Sequence, residues 1–231
     1  MTKANTAAGD LEHIRGSELR PRFHSRTAAQ ETAHTLSLLT PHLEGARSVL
    51  DIGCGSGYVA WQLGLSFPGE VGAVDIGDFR RVPTPSFSLF DGLRLPFADG
   101  RFDVVLFSFV LHHVADVDKP LLLAEGRRVA RRKLVILEDT PAGLFDRLSN
   151  FWHGSRFRRR IGSRERFGFL TREEWLRLFS RLGLHPFAVV PLSRWCRSIW
   201  QPFSRSLFVL ETNSAPAARP DVGPGKASPG R

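Results

Sequence analysis

A chain of 231 residues with 42% hydrophobic content can bury one substantial core, which suits a single α/β unit with decorations. Its two cysteines, Cys54 and Cys196, lie far apart in the sequence and exclude a disulfide framework and any cysteine-based metal spacing. No apolar run approaches the roughly 20 residues that span a bilayer, and the polar start Met1-Thr2-Lys3-Ala4-Asn5 has no signal-peptide core, so a cytoplasmic protein is expected.

In chain order, residues 1–20 are expected to be disordered and residues 21–212 to form the folded domain. A helix over 27–43 precedes a strand over 48–52, a helix over 57–66 and strands over 71–75, 86–90 and 103–108. A helix over 118–130, a strand over 133–138, a helix over 171–182 and strands over 186–191 and 205–211 complete the core. Thr171-Arg172-Glu173-Glu174 reads as a capping box, with Thr171 as cap and Glu174 at the third helical position. The tail from 213 to 231, built from Pro, Gly, Ala and Ser, cannot offset its ordering entropy and is expected to be disordered. No internal repeat is visible. Strands alternating with helices predict an α/β fold whose mostly parallel sheet is covered on both faces.

The most informative stretch is Val49-Leu50-Asp51-Ile52-Gly53-Cys54-Gly55-Ser56-Gly57, an apolar strand breaking into three glycines at alternate positions. Glycine admits positive φ and lets a ligand approach the backbone, while the following helix offers unpaired N–H groups. A dinucleotide fingerprint, Gly-x-Gly-x-x-Gly, would need glycine at 58, where Tyr58 stands, which argues against an NAD-type oxidoreductase. The Asp-x-Gly-x-Gly-x-Gly form resembles the first motif of the class I S-adenosyl-L-methionine (SAM) dependent methyltransferases. Downstream, Val71-Gly72-Ala73-Val74-Asp75, Asp91-Gly92 and the run from Leu95-Pro96-Phe97 to Leu111-His112-His113 match that family in order, the last closely resembling its type 11 branch.

The resemblance implies a Rossmann-like methyltransferase fold with a seven-stranded sheet in the order 3-2-1-4-5-7-6, the last strand antiparallel, and SAM as cofactor. Carried over residue by residue, it places SAM on Asp51, Gly53, Cys54, Gly55 and Gly57. Asp75 would hold the ribose hydroxyls, Asp91 with Gly92 the adenine amine, and Phe107 with Ser108 the methionine part. Only 15 residues separate Asp75 from Asp91, among them Pro83 and Pro85, so the usual linking helix is expected to shrink to a turn or loop. Ile76 and Phe79 are then the candidates for apolar packing on the adenine. Cys54 reads as a small residue in a tight turn rather than a nucleophile.

Methyl transfer needs a base only when the acceptor atom is protonated. His112, His113 and Glu138 are the candidate catalytic residues, with Asp139 past the fifth strand and His153 in the insert after it as further candidates. The Glu138-Asp139 pair has no third carboxylate or amide at a matching place, so no metal is expected. An insert over 141–169, bearing Phe145, Phe151, Trp152 and His153, is expected to cover a small-molecule acceptor, with transfer to O, N or C. Residues 156–166 hold six arginines and one glutamate and so supply five of the net charge of +9. They sustain an alternative, an RNA methyltransferase or SAM-binding module, because aromatics interleaved with arginines can hold single strands. Arg127, Arg128, Arg131, Arg132 and Lys133 read as solvated surface near a helix C-terminus. The oligomeric state carries no sequence signal.

Overall fold

The computed structural model describes residues 25–143, 146, 168–192 and 204–212, with side chains from residue 29 onward. The expected disordered ends, the arginine run and most of the insert lie outside the described residues. Seven strands, β1 (Ser48–Ile52), β2 (Glu70–Asp75), β3 (Phe87–Leu89), β4 (Phe102–Ser108), β5 (Ala130–Asp139), β6 (Pro186–Leu192) and β7 (Arg205–Glu211), form one sheet in the order β3-β2-β1-β4-β5-β7-β6. All neighbours are parallel except β7, which runs antiparallel to both β5 and β6. This is the order and orientation that the sequence led us to expect.

The strand period of two sorts the core into two layers. Leu50, Ile52, Val105, Phe107, Leu134, Ile136, Phe208 and Leu210 face one side with Leu122, Leu123, Trp175 and Phe179, from helices α3 (Lys119–Val129) and α4 (Arg172–Arg181). Val49, Val104, Leu106, Val135, Leu137, Leu207 and Val209 face the other with Leu39 from α1 (Ser25–Leu39), and with Ala60 and Leu63 from α2 (Tyr58–Ser66). Near-continuous apolar strands are what a sheet buried on both faces demands. The Thr171 hydroxyl accepts from the Glu174 amide at 3.2 Å and the Glu174 carboxylate accepts from the Thr171 amide at 2.8 Å, closing the capping box.

Several boundaries differ from the sequence expectation. The first helix stops being α-helical at Leu39 and finishes as a 3₁₀ turn, Thr40–Leu43, because Pro41 has no N–H for the i→i−4 ladder. Strand β3 loses a residue at each end, and Ser86, with φ 42°, stands where pairing would have begun. Residues 76–86 form a loop with no helix between β2 and β3, as the two prolines suggested. Strand β5 starts at Ala130, directly after α3, so Arg131 and Arg132 belong to a strand rather than a loop.

The basic cluster is also more engaged than solvated surface implies. Arg128 donates to the Leu95 and Phe97 carbonyls and pairs with Asp99 and Glu125, fixing the loop that leads into β4. Arg131 reaches Asp103 at 3.0 Å, and Arg132 donates to the Gly45 carbonyl at 2.7 Å. Asp103 also accepts from the Arg47 amide at 2.7 Å, so charge ties β1, β4 and β5 together at the edge opposite the glycine loop.

Candidate functional site: the glycine loop and the carboxylates beside it

Gly53, Gly55 and Gly57 all take positive φ, at 70°, 53° and 79°. The Gly53 and Cys54 amides both donate to the Val74 carbonyl, at 2.8 and 3.1 Å, which pulls the loop over the end of β2. Three different constraints act on the three glycines. A Cβ at Gly53 would lie 2.1 Å from Val110 Cγ2, and one at Gly57 would lie 2.2 Å from Thr84 Oγ1. A Cβ at Gly55 would meet nothing within 4 Å, so this glycine borders open space. Thr84 belongs to the β2–β3 loop, which a further bond from the Arg81 amide to the Ser56 carbonyl at 3.0 Å lays against the glycine loop.

The carboxylates converge beside this turn. One oxygen of Asp75 accepts from the Gly55 amide and the other from the Ile76 amide, each at 2.7 Å. Asp51, 2% exposed, accepts no hydrogen bond among the described residues. Burial first, and the neighbouring Asp75 charge second, push its carboxyl up to about 7. Burial likewise raises Asp75, against the stabilising amide bonds. Cys54 sits beside both, and burial followed by the Asp51 and Asp75 charges drives its thiol far up, which suits a packed residue and not a thiolate.

Asp91 lies at the end of β3, where one oxygen accepts from the Leu93 and Arg94 amides at 2.9 and 2.7 Å. Ile76 is 39% exposed, and its Cγ2 lies 3.4 Å from where a Cβ on Gly92 would stand. Ile76, Asp91 and Gly92 thus sit together beside the loop, while Phe79 folds back over Gly77.

At the end of β4 the structure separates the two expected contacts. Ser108 is half-buried at the strand end, but the Phe107 side chain is fully buried in the core layer under α3, where it occupies the space that a Cβ on Gly126 would need. Phe107 therefore cannot offer its ring to a ligand over the glycine loop, and the alternation of the strand is the reason. Phe109, the next residue after the strand, has φ 56° and its amide donates to the Leu137 carbonyl at 2.9 Å.

Glu138 and Asp139 lie on opposite faces of β5 and do different work. Glu138, fully buried, accepts from the Leu111 amide at 2.6 Å and pairs with His112 Nδ1 at 2.7 Å. Burial works against a charged His112, yet the Glu138 charge and hydrogen bond outweigh it and hold the imidazole above its ordinary value. Phe169 stacks on His112 with centroids 4.7 Å apart, and His113 lies beside it at 4.0 Å. Of the two histidines only His113 keeps surface open to solvent. Asp139 pairs instead with the buried Arg205 at 2.7 Å, and the Arg205 guanidinium covers the Phe109 ring at 3.7 Å. Glu138 thus pins His112 inward. Among the described residues no group of three His, Cys, Asp or Glu side chains is close enough to share a metal ion.

A cavity of about 780 Å³ opens at the same sheet edge beyond β5 and β7, with Thr140, Thr171, Arg172, Ser204, Arg205 and Ser206 in its wall. Thr140 and Ser206 hydroxyls bond to each other at 2.8 Å. Arg205 was legible as an arginine opening an otherwise apolar strand, whereas Val110 and Thr84 matter only through contacts that no sequence pattern announces.

Residues 50–136 match the family described as "Methyltransferase domain". The chain is 37% identical over 79 residues to the arginine-hydroxylase NDUFAF5 of Rattus norvegicus, covering 31% of this chain and 23% of that protein. It is 33% identical over 116 residues to the ubiquinone/menaquinone biosynthesis C-methyltransferase UbiE of Citrifermentans bemidjiense, covering 43% of this chain and 48% of that one. The matched stretch thus spans between about a quarter and a half of these relatives. Among solved structures, the PH0226 protein of Pyrococcus horikoshii superposes with a TM-score of 0.62 at 20% identity, over 87% of this chain and 98% of its own. No helix among the described residues is long and apolar enough to cross a membrane. The glycine loop, the carboxylate at the end of β2 and the segment after β4 all lie inside the stretch that matches this methyltransferase domain family.

Proposed function

We propose that this chain transfers a methyl group from SAM to an O, N or C atom of a small molecule. The observation that carries this reading is the pair of buried carboxylates, Asp51 and Asp75, beside the open space at Gly55. SAM fits that setting, because its ammonium and ribose hydroxyls are donors and Asp51 lacks one. Asp51 and Asp75 would hold those groups, the Gly53–Gly57 backbone would lie along the methionine part, and Ile76 and Asp91 would border the adenine. Ser108 would contribute at the end of β4 through its side chain, and Phe107 through its backbone alone.

When bound, SAM supplies an activated sulfonium methyl. The protein then has mainly to align the acceptor and exclude water. The cavity beyond β5 and β7, with hydroxyl and guanidinium groups in its wall, is the acceptor entrance in this reading. Glu138 holds His112, which in turn fixes the post-β4 segment, and His113 is the imidazole open to an acceptor proton. The relatives named as quinone C-methyltransferases favour carbon as the acceptor atom, and the one named a hydroxylase shows that the domain can be found under another activity.

The RNA reading draws no support from the second basic cluster, because Arg128, Arg131 and Arg132 bind protein carboxylates and carbonyls. Calorimetric titration with S-adenosylhomocysteine tests cofactor binding, and transfer of labelled methyl from SAM to a panel of phenols, amines and quinols tests the reaction. Absence of binding by the folded chain overturns the reading.

A further inference from the structure

We propose that Arg205 is a positioning residue for the cofactor cradle, acting through Phe109 and Val110 although it belongs to the far strand β7. The inference rests on the reading of the glycine loop as that cradle. Phe109 holds φ at 56°, a conformation that a bulky L-residue adopts only when its surroundings impose it. Those surroundings are identifiable. Its amide donates to Leu137, and its ring lies under the Arg205 guanidinium at 3.7 Å. Asp139 fixes that guanidinium at 2.7 Å, inside the fold, where Arg205 is only 5% exposed. Glu31 of α1 also interacts with Arg205, so carboxylates from β5 and α1 bear on it.

The turn at Phe109 decides where Val110 goes. Val110 presses on Gly53 so closely that a Cβ there would sit 2.1 Å from it. One residue further on, Glu138 holds the Leu111 amide at 2.6 Å and His112 at 2.7 Å. The adjacent carboxylates Glu138 and Asp139 therefore staple the post-β4 segment from opposite faces of the sheet. Asp139 works through Arg205, and the wall beneath the glycine loop is set between the two staples.

If Arg205 acts by holding an unfavourable backbone turn, a glycine at 109, for which that turn is free of cost, should make it dispensable. The experiment compares wild type, Arg205→Met, Phe109→Gly and the double variant by calorimetric titration with S-adenosylhomocysteine and by hydrogen exchange of the Gly53 and Val110 amides without ligand. Arg205→Met is expected to weaken binding about tenfold and to speed exchange at both amides, and adding Phe109→Gly is expected to restore affinity to within about threefold of wild type. Wild-type affinity and exchange in Arg205→Met, or no recovery in a folded double variant, would overturn the proposal. Arg205→Lys, which keeps a charge for Asp139 but not the planar stack, gives the same comparison if Arg205→Met does not fold. Failure of wild type to bind would count against the cofactor reading, while the exchange data still decide the role of Arg205.

Discussion

The Asp75 carboxylate spans from the end of β2 to the turn after β1, accepting from the Gly55 amide at 2.7 Å. A residue expected to serve the ligand therefore also shapes the loop that would receive it. Asp75→Ala should weaken S-adenosylhomocysteine by on the order of 1.5 to 3 kcal/mol, the scale of hydrogen bonds to a charged group. Asp75→Asn, which keeps one acceptor for the Gly55 or Ile76 amide, should lose less. Titration of both folded variants checks the ranking, and unchanged affinity in Asp75→Ala would remove it from the site.

Asp51 gives the fold a pH signature. Its carboxyl rises from 3.8 to about 7, so the native state binds a proton that the unfolded state has released across that range. Its contribution is therefore largest below pH 4, falls as pH rises towards 7, and is flat above. Asp51→Asn should flatten this slope and be more stable than wild type at pH 8, by on the order of 1 to 4 kcal/mol. His112, held above its ordinary value, and Asp75, raised by burial, add slopes of the same sign that persist in the variant, so the part of the slope lost in Asp51→Asn reports Asp51 together with its coupling to Asp75. Urea unfolding at pH 5, 7 and 8 is the measurement.

Glu138 tests whether the His112 contact is structural. Its loss would leave the Leu111 amide and His112 Nδ1 unsatisfied in the core. Glu138→Ala should cost about 3 kcal/mol or more, and Glu138→Gln, which still accepts from Leu111, distinctly less. A Glu138→Ala protein that unfolds in urea like wild type but transfers no methyl would instead assign the pair to chemistry.

Much of this site was visible in the sequence because it rests on local rules. Glycines at alternate positions after an apolar strand need positive φ, and the box at Thr171 and Glu174 is a three-residue relation. What escaped was set by tertiary contact. Phe107 and Ser108 are neighbours in a motif, but strand alternation sends the Phe107 ring into the core. Arg131 and Arg132 read as solvated cations, but they lie in β5 and bond to Asp103 and the Gly45 carbonyl, partners distant in sequence. Arg205 reaches its partners Asp139 and Phe109 across long stretches of sequence, so no local pattern could link them.

The capping box offers a control remote from the glycine loop. Thr171→Ala removes the acceptor for the Glu174 amide and should destabilise the chain by about 1 kcal/mol. Affinity for S-adenosylhomocysteine should stay as in wild type. Chemical denaturation and titration together check both halves.

The glycines themselves separate folding from binding. Gly53→Ala would drive a methyl into Val110, at 2.1 Å, and should lower stability and affinity together. At Gly55 the added methyl would point into open space, so the folded chain meets only the left-handed backbone cost, about 1 to 2 kcal/mol. If that space belongs to the cofactor, Gly55→Ala should still weaken S-adenosylhomocysteine by at least tenfold, because the methyl would stand where the ligand must approach the backbone. Thermal unfolding and calorimetry on the two variants give the comparison. A Gly55→Ala protein that binds as tightly as wild type would move the ligand elsewhere along the sheet edge.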